Sequence, residues 1–296
     1  MTIYPRVDNT TRVIVQGMTG RAGRMHTRMM REYGTNIVGG VSPQSDVADV
    51  GGVPVFASCR DAVAATGATA TVALVGPAQL LGAIEDAAHA GIKLIVTPTE
   101  GMPVHDALRA RAVTREAGAM WIGASTPGIA VAGQAKLGFL PEASLLPGPL
   151  GLMSKSGTLS YEAGYRLVQR GVGTSVWTGV GGDPVKGTRY AELVPFYAAD
   201  TQTEALLIIG EIGGNEEEDF AATLTEHRFA KPVFALIAGR SSPEGVTMGH
   251  AGALVHGGHG GWAAKKDALE AAGAQVFASL DDMTNAVAAW HASRLT

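Results

Sequence analysis

Short β-branched or apolar runs that end in glycine and hand over to amphipathic stretches recur along this chain, and this alternation limits its fold more than any other feature. The runs fall at residues 12–16, 36–41, 71–75, 93–97, 119–122, 150–153, 175–179, 205–209, 232–237 and 274–278. Stretches 24–33, 58–66, 78–90 and 104–117 carry helical periodicity between them. Strands alternating with helices predict an α/β fold, with parallel sheets covered on both faces. Leu146-Pro147-Gly148-Pro149 separates two such series, so the expected organisation is a domain over 1–145 and another over 146–296. The chain has 296 residues, enough for two domains at roughly 100–200 residues each.

Composition narrows the partners. Hydrophobic residues make up 46% and charged residues 17%, so large cores can form, and 40 glycines suit tight turns and close helix-on-sheet packing. The net charge of −4, with no basic block, argues against nucleic acid. The single cysteine, Cys59, excludes an intrachain disulfide and fits a reducing compartment. Residues 1–12 are polar and mixed in charge, and no apolar run reaches the roughly 18 residues of a membrane span. The expected location is the cytoplasm, or an organelle matrix after removal of a presequence.

Three motifs carry chemistry. Gly17-Met18-Thr19-Gly20-Arg21-Ala22-Gly23 follows the strand Val13-Ile14-Val15 and opens a helix. Its glycines allow close backbone approach, and a helix start supplies amide donors and a positive dipole, so the turn reads as a phosphate cradle. A nicotinamide site would place an acid about 20 residues on. Here the second strand ends Val38-Gly39-Gly40-Val41-Ser42-Pro43, with no carboxylate, which favours another nucleotide-like ligand over NAD. Ser154-Lys155-Ser156-Gly157-Thr158 follows another apolar strand and reads equally as an ordinary N-cap or as an anion site. Met248-Gly249-His250-Ala251-Gly252-Ala253 sets one histidine among small residues. Alone it reads as a glycine-rich surface turn, but imidazole is also a covalent nucleophile at neutral pH. In Ile208-Ile209-Gly210-Glu211-Ile212-Gly213-Gly214 an acid ends an apolar strand, where a carboxylate can accept a hydrogen bond from one imidazole nitrogen and leave the other to react. The run Glu216-Glu217-Glu218 beside it reads as a solvent-exposed helix start.

Taken in order, these motifs resemble the α subunit of succinate–CoA ligase and its relatives, the small subunits of malate–CoA and citrate–CoA ligases. The likeness runs from Gln16-Gly17-Met18-Thr19-Gly20 through Thr99-Glu100-Gly101, Ser156-Gly157-Thr158-Leu159 and Gly181-Gly182-Asp183-Pro184 to Gly210-Glu211-Ile212-Gly213-Gly214 and the His250 motif. It implies an N-terminal Rossmann-like CoA-binding domain and a flavodoxin-like ligase domain carrying a phosphohistidine. By position, His250 would be the phosphorylated residue and Glu211 its orienting partner, with Ser156 and Gly157 opening the helix that stabilises the phosphate. Gly17, Thr19, Gly20, Arg21, Ala22 and Gly23 would hold the CoA phosphates. Pro43, Val75, Gly76, Pro77, Thr97, Thr99 and Glu100 would line the same site.

The resemblance also implies a β subunit with an ATP-grasp domain, supplying ATP or GTP, Mg²⁺ and a second helix aimed at the histidine. This chain has no GxxxxGK[ST] loop of its own. The reaction implied is phosphorylation of His250 by nucleotide, transfer to a small carboxylate, and displacement of phosphate from the acyl phosphate by CoA. The stretch 257–261, close after His250, would let its loop move between two sites.

Departures stand out. Gly123-Ala124-Ser125-Thr126-Pro127-Gly128 replaces the family's Gly-Pro-Asn-Cys-Pro-Gly near the CoA thiol end, Lys155 replaces a common Arg, and Gln44-Ser45-Asp46-Val47 lacks the glycine- and lysine-rich form. They point to a divergent member acting on succinate, malate, citrate or another carboxylate. Three other readings stay open: a dinucleotide oxidoreductase, which would bind NADH; a CoA-binding regulator, which would not need His250 with Glu211; and an inactive paralogue, for which Ser125-Thr126 speaks.

Overall fold

The computed structural model describes residues 7–243, 245–246, 249–255 and 260–294. The chain forms two compact units: one runs to Leu140 and includes Val185–Thr188, and the other comprises Pro141–Pro184 and Arg189–Thr296.

In the first unit the order is β1 (Val13–Gln16), α1 (Arg21–Tyr33), β2 (Ile37–Val41), β3 (Asp49–Val50), β4 (Val53–Phe56), α2 (Cys59–Thr66) and β5 (Ala70–Ala73). Then come α3 (Leu80–His89), β6 (Leu94–Thr97), α4 (Val104–Glu116) and β7 (Met120–Gly123). The sheet runs β3-β4-β2-β1-β5-β6-β7, with only β3 antiparallel to its neighbour. Leaving β3 out, the parallel strands stand in the order 3-2-1-4-5-6, that of a Rossmann sheet. The chain reverses direction across the sheet between β1 and β5, and that switch point is where such sheets bind ligands. β8 (Gly128–Val131) and β9 (Ala135–Gly138) form an antiparallel hairpin that packs on α1.

The second unit contains β10 (Pro147–Ser154), α5 (Gly157–Val168), β11 (Thr174–Gly179), α6 (Tyr190–Ala199), β12 (Ala205–Glu211) and α7 (Glu216–Glu226). It ends with β13 (Val233–Ala238), α8 (Trp262–Ala271), β14 (Gln275–Phe277) and α9 (Leu280–Ser293). Its five strands stand β14-β13-β12-β10-β11, all parallel. Counted within the unit this is 2-1-3-4-5 read from the far edge, the flavodoxin-like order, with its switch point between β10 and β12. Every residue of β12 is buried, as a central parallel strand requires.

Local signals end the helices. Ser156, read as an N-cap or an anion site, caps α5 by accepting the amide three residues on, Ser58 and Ser279 do the same for α2 and α9, and Gly34 and Gly67 end helices in the left-handed region. Pro147-Gly148-Pro149, read as a linker, is the start of β10. The hairpins β3–β4 and β8–β9 lie outside the predicted strands. Among the described residues no helix is long and apolar enough to cross a membrane.

Candidate functional site

The turn after β1 is shaped by backbone contact. Gly17 has φ +76°, and a Cβ there would lie 2.5 Å from the Leu74 carbonyl oxygen. A Cβ on Gly23 would lie 2.1 Å from the Gly17 carbonyl oxygen, so only glycine lets α1 cross its own turn this closely. Gly20 is the N-cap of α1 and offers no side-chain acceptor to the first amides. Those donors, at the positive end of the helix, remain for an anion. The Thr19 hydroxyl donates to Ser42 Oγ at 3.0 Å, and Arg24 Nε donates to the Thr19 carbonyl at 2.9 Å.

Gly17, Thr19, Pro43 and Val75 line one pocket of about 700 Å³, joined by Ser42, Ser45, Ser58 and Asp86, which sequence reasoning had not singled out. Asp86 stands on α3, and the others come from the loops after β1, β2, β4 and β5, at the switch point. Thr99 Oγ1 donates to the Val75 carbonyl at 2.7 Å, and the Ser125 amide donates to the Thr99 carbonyl at 2.9 Å. The replaced Ser125 is therefore linked through Thr99 to a pocket wall. Ser125 has φ +57°, uncommon for a side-chain-bearing residue.

The other predicted residues are placed differently. Thr97 is fully buried and accepts the Trp121 indole N–H at 2.8 Å, so it underlies the sheet end and does not line the pocket. Gly76, Pro77 and Glu100 are exposed and outside the lining. Gly20, Arg21, Ala22 and Gly23 form the cap and first turn of α1, and Arg21 faces a second cleft with Arg24, Arg28 and Arg31. The pocket thus joins the Gly17–Thr19 start of the glycine turn to the hydroxyls of Thr19, Ser42, Ser45 and Ser58, polar groups that suit a phosphate-bearing ligand.

In the second unit Ser154 pairs with Ile209 in adjacent strands, so Ser156 and Glu211 leave the sheet side by side. Ser156 caps α5 by accepting the Leu159 amide at 3.2 Å. Glu211 is 8% exposed, and its Oε2 lies 2.7 Å from His250 Nδ1. A carboxylate at Nδ1 favours the tautomer protonated there, which makes Nε2 the ring nitrogen that carries the lone pair. The histidine loop needs glycines around it. A Cβ on Gly182 would fall 2.3 Å from His250 Nδ1, and one on Gly213 would fall 2.0 Å from the Gly252 carbonyl oxygen. Met248 of the motif and residues 257–259 of the stretch read as movable lie outside the described residues.

The acidic run corrects a sequence expectation. Glu216 and Glu217 are not solvent-exposed: they are 5% and 0% exposed. Lys155 Nζ lies 2.9 Å from Glu217 Oε1 and 3.6 Å from Glu216 Oε2, and Lys265 Nζ lies 2.5 Å from Glu217 Oε2. Burial alone would raise the Glu217 carboxyl, but the two ammonium groups hold it at about 2. Burial pulls the Lys155 ammonium down, and Glu217 and Glu216 outweigh it and leave it raised. Sequence reasoning missed the part Glu217 and Lys265 play here, and noted Lys155 only as standing where an arginine is common. The only hint was three acids beside an apolar strand end.

Comparison with known proteins places the chain. Residues 8–101 match the CoA binding domain family and residues 153–275 the CoA-ligase family. The chain is 44% identical over 273 residues to the succinate–CoA ligase [ADP-forming] α subunit of Aquifex aeolicus, covering 92% of this chain and 89% of that one. It is 41% identical over 253 residues to the malate–CoA ligase α subunit of Methylorubrum extorquens, covering 84% and 85%. Among solved structures, ATP citrate lyase of Methanosaeta concilii in complex with (3S)-citryl-CoA superposes with a TM-score of 0.85 at 25% identity, over 94% of this chain and 49% of that longer one. With a CoA-binding unit followed by a CoA-ligase unit, and relatives of this identity along nearly its whole length, the chain belongs to the family of ADP-forming succinate–CoA ligase α subunits.

Proposed function

We propose that this chain is the α subunit of a nucleoside-triphosphate-dependent carboxylate–CoA ligase that works through a phosphohistidine at His250. The observation that carries the reading is the 2.7 Å contact of His250 Nδ1 with Glu211 at the switch point of the second sheet. Nε2 bonds to the terminal phosphorus of ATP or GTP as the bond to the nucleotide diphosphate breaks, and Glu211 compensates the charge on the ring. The phosphoryl group then passes to an oxygen of a small carboxylate, giving an acyl phosphate. The CoA thiol attacks the acyl carbon, loses its proton and expels phosphate. The α5 N-terminus, opened by Ser156 and Gly157, stabilises the transferring group. CoA lies in the first unit with its phosphates on the 17–23 turn, and the domains divide near 145. Nucleotide and Mg²⁺ belong to an ATP-grasp β subunit, and the heteromer works in the cytoplasm. The carboxylate is succinate, malate or a related acid, with Ser125-Thr126 on the acyl side of the site.

The test is co-purification with the β subunit, labelled ATP, and a thioester screen over succinate, malate, citrate and related acids. His250→Asn removes both turnover and acid-labile phosphate. Labelled phosphate on the His250→Asn chain, or full turnover by the chain alone, defeats the reading.

A further inference from the structure

One carboxylate joins three segments of the second unit. Glu217 is wholly buried. Its Oε1 accepts the backbone amide of Glu211 at 3.2 Å and pairs with Lys155, the residue before the α5 N-cap. Its Oε2 pairs with Lys265 of α8, the helix that follows the histidine loop, and Lys265 also donates to the Gly214 carbonyl at 3.1 Å. The approach requires Gly210, where a Cβ would stand 2.5 Å from Glu217 Oε1. A buried ion pair is a poor device for stability, because desolvation offsets most of the attraction. Its directional hydrogen bonds do fix the groups they reach.

We propose that Glu217 is a positioning residue for phosphoryl transfer: through the Glu211 amide it fixes the carboxylate that orients His250, and through Lys155 it keeps the α5 N-terminus in register with that pair. This rests on the phosphohistidine reading above. Glu217 touches no reacting atom. Its main effect therefore passes through Glu211, so the two residues are coupled, and the Lys155 route leaves only the small residual loss when Glu211 is already changed.

A double-mutant cycle on the chain assembled with its β subunit reads that coupling, as the single-turnover rate of acid-labile phosphate incorporation from labelled ATP. Glu217→Gln is expected to slow incorporation about ten-fold or more in the otherwise native chain, but less than about two-fold when Glu211→Gln is already present. CoA affinity stays unchanged. Equal fold-losses in both backgrounds, or no loss, overturn the proposal. If Glu217→Gln does not assemble, the charge-balanced pair Glu217→Gln with Lys265→Met takes its place. Failure of that pair to assemble makes the network a folding device and also overturns the proposal. The His250→Asn chain runs alongside: label retained on it defeats the phosphohistidine reading itself, whatever the cycle gives.

Discussion

The two units solve the same local problem by different physics. Each has a parallel strand, a turn and a helix start at the switch point of its sheet. In the first, the 17–23 turn is held by shape: Gly23 lies against the Gly17 carbonyl, and the N-cap leaves the helix amides unsatisfied. In the second, Ser156 uses its own side chain as the cap, and the turn is braced by the buried Lys155–Glu217–Lys265 cluster. A shape-held turn should be indifferent to charge and intolerant of a methyl group. A charge-held turn should be sensitive to the loss of any one of its buried charges.

The largest effect is expected from Lys155→Met, which leaves Glu216 and Glu217 short of a buried cation and should cost the second unit about 3–5 kcal/mol. Hydrogen exchange resolved by peptide will show β10, β12 and α7 loosened and β1 and α1 unchanged. A loss spread evenly over both units breaks the comparison. Next is Gly23→Ala, whose added methyl overpacks the first turn by about 1–3 kcal/mol. Calorimetry should then find CoA affinity lost while the second unit keeps its stability. A folded Gly23→Ala chain that binds CoA normally, or a native chain that prefers NADH, contradicts the assignment of the turn.

The smallest effect is graded with acid. The Glu217 carboxyl titrates lower in the fold than its ordinary 4.5, so its contribution is full above that pH and is lost as pH falls toward about 2. The 17–24 segment holds no carboxylate, so melting in steps below pH 4.5 should weaken the second turn before the first. The opposite order would show that the ion cluster does not brace it.

Much of this was legible without coordinates. The parallel sheets of both units follow from the alternation of apolar runs and helical stretches, because parallel strands need crossover helices and buried strands need unbroken apolar faces. The same alternation yields the order 3-2-1-4-5-6 in one and 2-1-3-4-5 in the other, so the order itself is a tertiary outcome. The hairpins β3–β4 and β8–β9 were not legible. β3 has two residues, and β8 and β9 are four-residue strands packed with Gly and Ala, too short for a period to register. Thr97 carried a ligand-lining expectation from its place in a motif, yet its hydroxyl is taken by Trp121.

By itself the sequence determined what depends on neighbours along the chain: the strand–turn–helix units, the glycines a tight turn demands, the serine caps, and the small residues around His250. Tertiary structure decided which distant groups meet. The His250–Glu211 pair, 39 residues apart, was expected only through the resemblance, and nothing along the chain pointed to Glu217 meeting Lys265 across 48 residues. An acidic run at a helix start is ordinarily solvated, since ionised carboxylates are costly to bury. Only the fold brings two lysines within ion-pair distance of Glu217, and that pairing is what allows the charge to be buried beside the strand that carries Glu211.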